Sequence, residues 1–192
     1  MNRIARLSCC VTFLLLTFAA AMPVDGQAGS GAKPANPDEK SALSREIHHQ
    51  LQVLPFYSVF DNITFTINGT MVILTGQVLR PTLKENAEAA VKSLEGVTVV
   101  VNHIELLPAS PSDDELRRGI YRAVYENSAL AHYAVQTVPS IHIIVKNGSV
   151  TLEGTVESAA DSNLAGVRAS SVANVLSLKN NLVVLPRPSA RQ

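Results

Sequence analysis

Beyond Cys10 the sequence contains no cysteine, and it contains no tryptophan anywhere. Both cysteines, Cys9 and Cys10, fall inside one apolar N-terminal run. Everything after that run is therefore without a disulfide, a reactive thiol or a cysteine-based metal site. Aromatic residues make up only 5%, which argues against a carbohydrate-stacking platform. Neither sign of charge dominates: 16 basic residues balance 16 acidic ones, and the basic stripe of a nucleic-acid binder is missing. No second long apolar run follows the first. The 46% hydrophobic content is instead spread along the chain, enough for a globular core.

What is present begins with a charged start, Arg3 and Arg6, then the apolar run Leu7 to Met22, then small residues with Ala28 among the possible cleavage positions. That order predicts a secretory signal over residues 1–28. The alternative, an uncleaved anchor, would need roughly 20 apolar residues, and this run is shorter. A lipidated cysteine would follow the run, whereas Cys9 and Cys10 sit at its front. Residues 29–36 are small, polar and proline-bearing and read as a flexible tether. Residues 187–192 read as a solvated tail.

Between these ends the chain repeats itself. "NGTMVILTGQV" starts at Asn68 and "NGSVTLEGTV" at Asn147. At an offset of 78, Gly76 meets Gly154, Val72 meets Val150, Leu74 meets Leu152, Val78 meets Val156, Val97 meets Val175 and Asn102 meets Asn180. Leu107-Pro108 then meets Leu185-Pro186. The opening halves are looser, with extra residues before Ile141 and an Asn-Gly pair shifted by one. The repeat sets a first domain at 37–108, a linker at 109–111 and a second domain at 112–186.

Each unit reads as helix, strand, strand, helix, strand. In the first, Asn36 precedes Pro37 at a favourable first-turn position, and Leu43, Ile47 and Leu51 share a helical face. In the second, Ser112 and Glu115 have the spacing of a capping box, ahead of Leu116, Ile120, Ala123 and Val124 on one face. Ile63, Phe65 and Ile67 alternate with polar residues, as Ile141, Ile143 and Val145 do, and the pairs Asn68-Gly69 and Asn147-Gly148 supply hairpin turns. Thr82 and Glu85 form a second capping-box pattern, and Gly96 reads as the end of that helix. The matching helix is weakened by Gly166 and three serines, carries Arg168 in place of Ala90 and ends at Asn174. A closing strand that returns through a helix can lie parallel to its neighbour. The fold class is α+β: two tandem small α-β-β-α-β domains, each a three-stranded mixed sheet covered by two helices.

The Asn-Gly turn, V-x-L-x-G-x-V, an alanine-bearing helix and a Gly-Val or Asn-Val step into a strand with V-x-N together resemble the BON domain of bacterial OsmY and nodulation proteins. The resemblance covers both units. It implies an exported, non-enzymatic cell-envelope protein, periplasmic in a Gram-negative host, that binds phospholipid surfaces or supports envelope integrity under osmotic stress. Arg168 and the extended segment before Ile141 depart from the pattern.

Candidate sites are few. Gly76 and Gly154 have two readings, close approach of a ligand or a strand-end bulge or tight helix-on-sheet contact; their recurrence inside the repeat favours the structural one. His48, His49, His103, His132 and His142 show no zinc-helix spacing, so no metal and no cofactor is expected. No nucleophile elbow and no phosphate loop is present, so no catalytic residue is assigned. Arg118, Tyr121, Arg122 and Tyr125 lie beside the apolar stripe of the second unit's first helix. Tyrosine with arginine suits a membrane interface, ring among headgroups and guanidinium on phosphate; the alternative is an ordinary solvated face, with Asp113, Asp114 and Glu115 cancelling charge. The span Asp38 to Glu105 has eight acidic and five basic residues and should face anionic lipid less readily. The partner is thus an anionic phospholipid surface or, alternatively, another envelope protein held at a sheet edge or inter-domain groove.

Overall fold

The computed structural model describes residues 37–135 and 138–185. The expected signal, tether and tail, together with Asn36, lie outside the described residues. The first unit runs α1 (Pro37–Gln52), β1 (Asn62–Asn68), β2 (Met71–Val78), α2 (Pro81–Lys92), β3 (Val99–Asn102) and β4 (Glu105–Leu106). The second runs α3 (Pro111–Tyr125), a 3-10 turn (Ala131–Ala134), β5 (Ile141–Lys146), β6 (Ser149–Val156), α4 (Ala159–Ser170), β7 (Ser177–Asn180) and β8 (Val183–Val184). In each, the hairpin strands are antiparallel, and the closing strand, in two short pieces, runs parallel to the second hairpin strand. The result is two tandem α-β-β-α-β units, each a three-stranded mixed sheet with two helices, as the repeat predicts.

Each unit has its own core. Ile47, Leu51, Val72, Leu74, Val78, Leu83 and Val91 pack in the first. Leu116, Ile120, Val124, Ile141, Ile143, Val150, Leu152 and Ala165 pack in the second. The break in each closing strand has a cause the repeat pattern already carried. Asn102 Nδ2 donates to the Lys84 carbonyl at 3.0 Å, and its Oδ1 accepts from Ile104 N at 3.1 Å. Asn180 does the same with Ser162 and Leu182, at 2.9 and 3.2 Å. One side chain thus ties the second helix of each unit to its last strand, at the point where the strand turns.

The two hairpins use different turns. Asn147 and Gly148 both have positive φ, 51° and 76°, as a type I′ turn requires. In the first unit Asn68 is the last strand residue, paired with Met71, and only Gly69 is left-handed, at φ 63°, the type II′ pattern. The one-residue shift in the sequence is this difference in turn.

Three expectations need correction. Pro81 and Pro111 occupy the first helical turn, so the N-caps are Arg80, without a side-chain cap, and Ser110, whose hydroxyl accepts from Asp113 N. Thr82 and Ser112 fall inside their helices and cap nothing, since proline fixes where each helix starts. Helix α2 ends at Lys92, with Ser93 as C-cap, and Gly96 (φ 86°) turns the chain beyond it. Of the two structural readings of Gly76 and Gly154, the close approach is at the strand end, against the main chain of Asn62 and Ser140, and not against a helix.

Candidate functional site

Arg118 and Arg122 lie one turn apart on α3, both exposed, with Tyr121 between them. Neither takes part in the two ion pairs found among the described residues, Arg117 with Asp114 and Lys146 with Glu105. The Phe60 ring meets Tyr121 edge-on at 6.2 Å, and Arg118, Arg122, Tyr121 and Phe60 line a shallow depression of about 400 Å³. Phe60 belongs to the first unit, in the segment between α1 and β1, so the surface is built by both units. Sequence reasoning missed it because "FYSVFDN" has no periodicity. The available signal was an apolar, aromatic loop in the first unit where the second has Val138, Pro139 and Ser140.

Phe60 is placed by its neighbours. Val59 is buried in the second unit's core, and its carbonyl accepts from Ile143 N at 2.8 Å, pairing on the outer edge of β5. Asp61, also buried, accepts from Ser58 N (3.1 Å), Ser58 Oγ (2.6 Å) and Leu79 N (2.8 Å). A carboxylate satisfied three times over holds the loop closed on one side while strand pairing holds it on the other.

Tyr125 is not a surface residue. It is buried, its ring lies 5.0 Å from that of Tyr121, and its hydroxyl donates to the Ile141 carbonyl at 2.5 Å. Burial raises its pKa well above the ordinary tyrosine value, partly offset by that hydrogen bond, so the phenol stays a neutral donor. Standing in the last turn of α3, it folds over the start of β5 and backs the exposed Tyr121. The arginine the sequence left out, Arg117, is buried: Nη1 pairs with Asp114 Oδ1 at 2.5 Å and Nη2 donates to the Val145 carbonyl at 2.6 Å. Asp113, buried as well, accepts from Asn147 N and Gly148 N at 2.8 and 2.9 Å and so closes the hairpin turn. Gly76 and Gly154 lie away from this surface, each beside the first strand of its own hairpin.

His142 stands where the units meet, its ring 5.7 Å from that of Tyr57. Burial lowers its pKa from the usual 6.5, and the Asp61 main chain and carboxylate only partly oppose that. The folded state therefore keeps the imidazole neutral while the unfolded chain takes up a proton. Stability contributed by this group is full above the ordinary value near 6.5 and is lost as pH falls from there through the lowered folded value. Thermal melts from pH 7 down to pH 5 should show His142→Gln losing less stability on acidification than the wild type; parallel curves would rule this out. Among the described residues no group of three or more His, Cys, Asp or Glu could hold a metal ion.

A comparison with protein-family models matches the BON domain at residues 59–108 and again at 112–186. The first match begins at Val59 and leaves α1 outside it. No curated protein sequence matches. Among solved structures, the chain is similar to the C-terminal domain of CdsD, the structural protein of the Type III secretion system of Chlamydia trachomatis, at 17% identity over 75% of this chain and 98% of that one, with a TM-score of 0.27. A second CdsD structure from the same organism shares 15% identity over 76% of this chain and 93% of the other, also at 0.27. The two family matches together take in more than half of the sequence, and the chain belongs to the BON domain family, with two tandem copies.

Proposed function

We propose that this protein is a non-enzymatic component of the cell envelope that associates with anionic phospholipid through the surface of Arg118, Tyr121, Arg122 and Phe60. Membership in the BON family supports a general membrane-associated role without catalysis, and export to the periplasm with residues 1–28 as the signal belongs to the same reading. Support for envelope integrity under osmotic stress is its physiological extension. The observation that carries it is local. Two arginines outside any ion pair among the described residues flank a tyrosine–phenylalanine pair, an arrangement that supports the reading because guanidinium suits phosphate and aromatic rings suit the headgroup boundary.

Each basic residue near an anionic surface contributes about 1 kcal/mol, and salt screens it. Arg118→Ala/Arg122→Ala should therefore weaken co-sedimentation with anionic vesicles about 30-fold while leaving the fold intact. Phe60→Ala should weaken it further, because the ring comes from the other unit. Equal sedimentation with neutral and anionic vesicles, or none lost in the double arginine variant, would remove the lipid reading. Recovery of one defined envelope protein without vesicle binding would favour the adaptor.

A further inference from the structure

We infer that the outer edge of β1 is a docking strand for a second copy of this chain, pairing antiparallel with its own counterpart about a twofold axis through Phe65. The inference is independent of the lipid surface.

The starting point is how differently the two units treat the same edge. In the second unit β5 is sealed: Ile141 O accepts from the Tyr125 hydroxyl, Ile143 N donates to Val59 O, and Val145 O accepts from Arg117 Nη2. By the repeat, Ile63, Phe65 and Ile67 occupy the places of Ile141, Ile143 and Val145, so their main-chain groups also point outward. The bond from Ile63 N to the Tyr57 hydroxyl, at 3.5 Å, agrees with that direction. None of the sealing groups is repeated, however. Matching the apolar stripes of α1 and α3 places Ser44 where Arg117 stands and Gln52 where Tyr125 stands, and no first-unit residue repeats the insertion of Val59. Among the described residues the outward groups of Phe65 and Ile67 meet no partner.

Natural edge strands are blunted by charge, proline, bulges or shortness. The opposite edges here are short, four and two residues in each unit. Strand β1 has seven residues, NITFTIN, with no charge and no proline. It also reads the same in both directions. Antiparallel pairing centred on Phe65 places Ile63 against the partner's Ile67, Thr64 against the partner's Thr66 and Asn62 against the partner's Asn68, so every residue faces its own kind. Phe65, Ile63 and Ile67 would then be hydrogen-bonded pairs, giving about four new main-chain bonds while Ile63 N stays on the Tyr57 hydroxyl and about six if that long contact gives way. Thr64 and Thr66 are exposed, and Thr64 already makes a cross-strand hydroxyl bond to Thr75 at 2.8 Å, the kind of contact threonine pairs make across strands. A groove of about 480 Å³ runs between Asn62 to Phe65 on one side and Val138, Pro139, Ser140 and His142 of the second unit on the other, so a docking strand would enter beside that wall. This identical, neutral, self-matching sequence selects a second copy over a foreign strand.

A single strand pair buries less than the roughly 1,000 Å² of a stable interface, so the dimer should be weak and reversible, with a dissociation constant on the order of 10–100 μM. Sedimentation equilibrium on the purified protein up to about ten times that concentration tests it. Thr64→Lys/Thr66→Lys sets like charges opposite one another and should raise the dissociation constant at least about tenfold. Mixing it with Thr64→Glu/Thr66→Glu should restore association, now between unlike chains. That rescue separates lost pairing from lost folding, and far-UV circular dichroism of both variants should match the wild type. A wild-type protein that stays monomeric throughout, or a dimer that the lysine pair leaves intact, overturns the assignment.

Discussion

Gly154→Ala is expected to abolish the cooperative unfolding transition of the second unit, and Gly76→Ala that of the first. Both glycines have φ values that L side chains rarely adopt, 112° and 120°. A Cβ at Gly154 would stand 2.0 Å from the Ser140 carbonyl oxygen, and one at Gly76 would stand 2.0 Å from that of Asn62. The obstacle is main chain in the adjacent strand, so no rotamer change relieves it. The strand end must move, and with it the bond from Thr155 N to Ser140 O at 3.0 Å. The disfavoured φ alone costs about 1–3 kcal/mol, and displacing paired backbone adds a similar amount. The sum approaches the lower end of the roughly 5–15 kcal/mol that holds a domain together. Gly69→Ala is the control. Its φ is also positive, 63°, but a Cβ there meets nothing within 4 Å, so the cost should be the backbone strain alone, about 1–3 kcal/mol. Urea titration followed by circular dichroism reads both. If Gly154→Ala shifts the midpoint no more than Gly69→Ala does, close approach is not why the glycine recurs. Because Val59 is buried in the second core, collapse of that unit should also loosen the first.

The parts of this fold legible in the sequence are those written as periodicity at a fixed offset. The hairpins, the helix faces and the parallel closing strands follow from apolar spacing, and that spacing survives in both units. The Asn102 and Asn180 pairing was visible as a coincidence of position but not as a clamp, since its partners are carbonyls that any residue could supply. Caps were misplaced where proline decides the helix start: Thr82 and Ser112 look like cap residues until Pro81 and Pro111 move the boundary outward. The candidate surface was half legible. Arg118, Tyr121 and Arg122 come from one helix, where spacing predicts a shared face. Phe60 comes from a connecting segment of the other unit, brought in by strand pairing that leaves no local signature. Tyr125 was misread because one position from an apolar stripe does not say whether a last-turn ring points out or folds back.

The hardest residues to foresee were the buried charges of α3, and their removal should be costly in an unequal way. Asp113→Ala leaves the Gly148 N–H buried without an acceptor and turns the Asn147 N–H, on an exposed residue, over to water. At about 1–3 kcal/mol for the buried donor and less for the exposed one, a loss of about 2–3 kcal/mol is expected. Asp113→Asn keeps one acceptor oxygen and should lose about half of that. Arg117 is a different case. Its Nη2 serves the Val145 carbonyl, but its Nε is buried without a partner, so the guanidinium is only partly compensated. Its ion-pair partner Asp114 is half exposed and returns to water when the arginine is removed, so Arg117→Met should lose about 1–2 kcal/mol, mainly the Val145 bond. The order Asp113→Ala above Arg117→Met, in denaturant midpoints, is the expected result; the reverse order would mean that the arginine and not the aspartate holds α3 to the hairpin. Amide exchange gives the sharper check. The Asn147 and Gly148 amides should exchange slowly in the wild type and quickly in Asp113→Ala, with those on the core side of β6 little changed. The first unit offers the internal comparison, for Lys40 stands where Asp113 does, and its type II′ turn at Gly69 receives no such carboxylate. Its hairpin closes without one, so the clamp is a property of the second unit alone, where α3 must hold the hairpin while also presenting Arg118, Tyr121 and Arg122 on its other face.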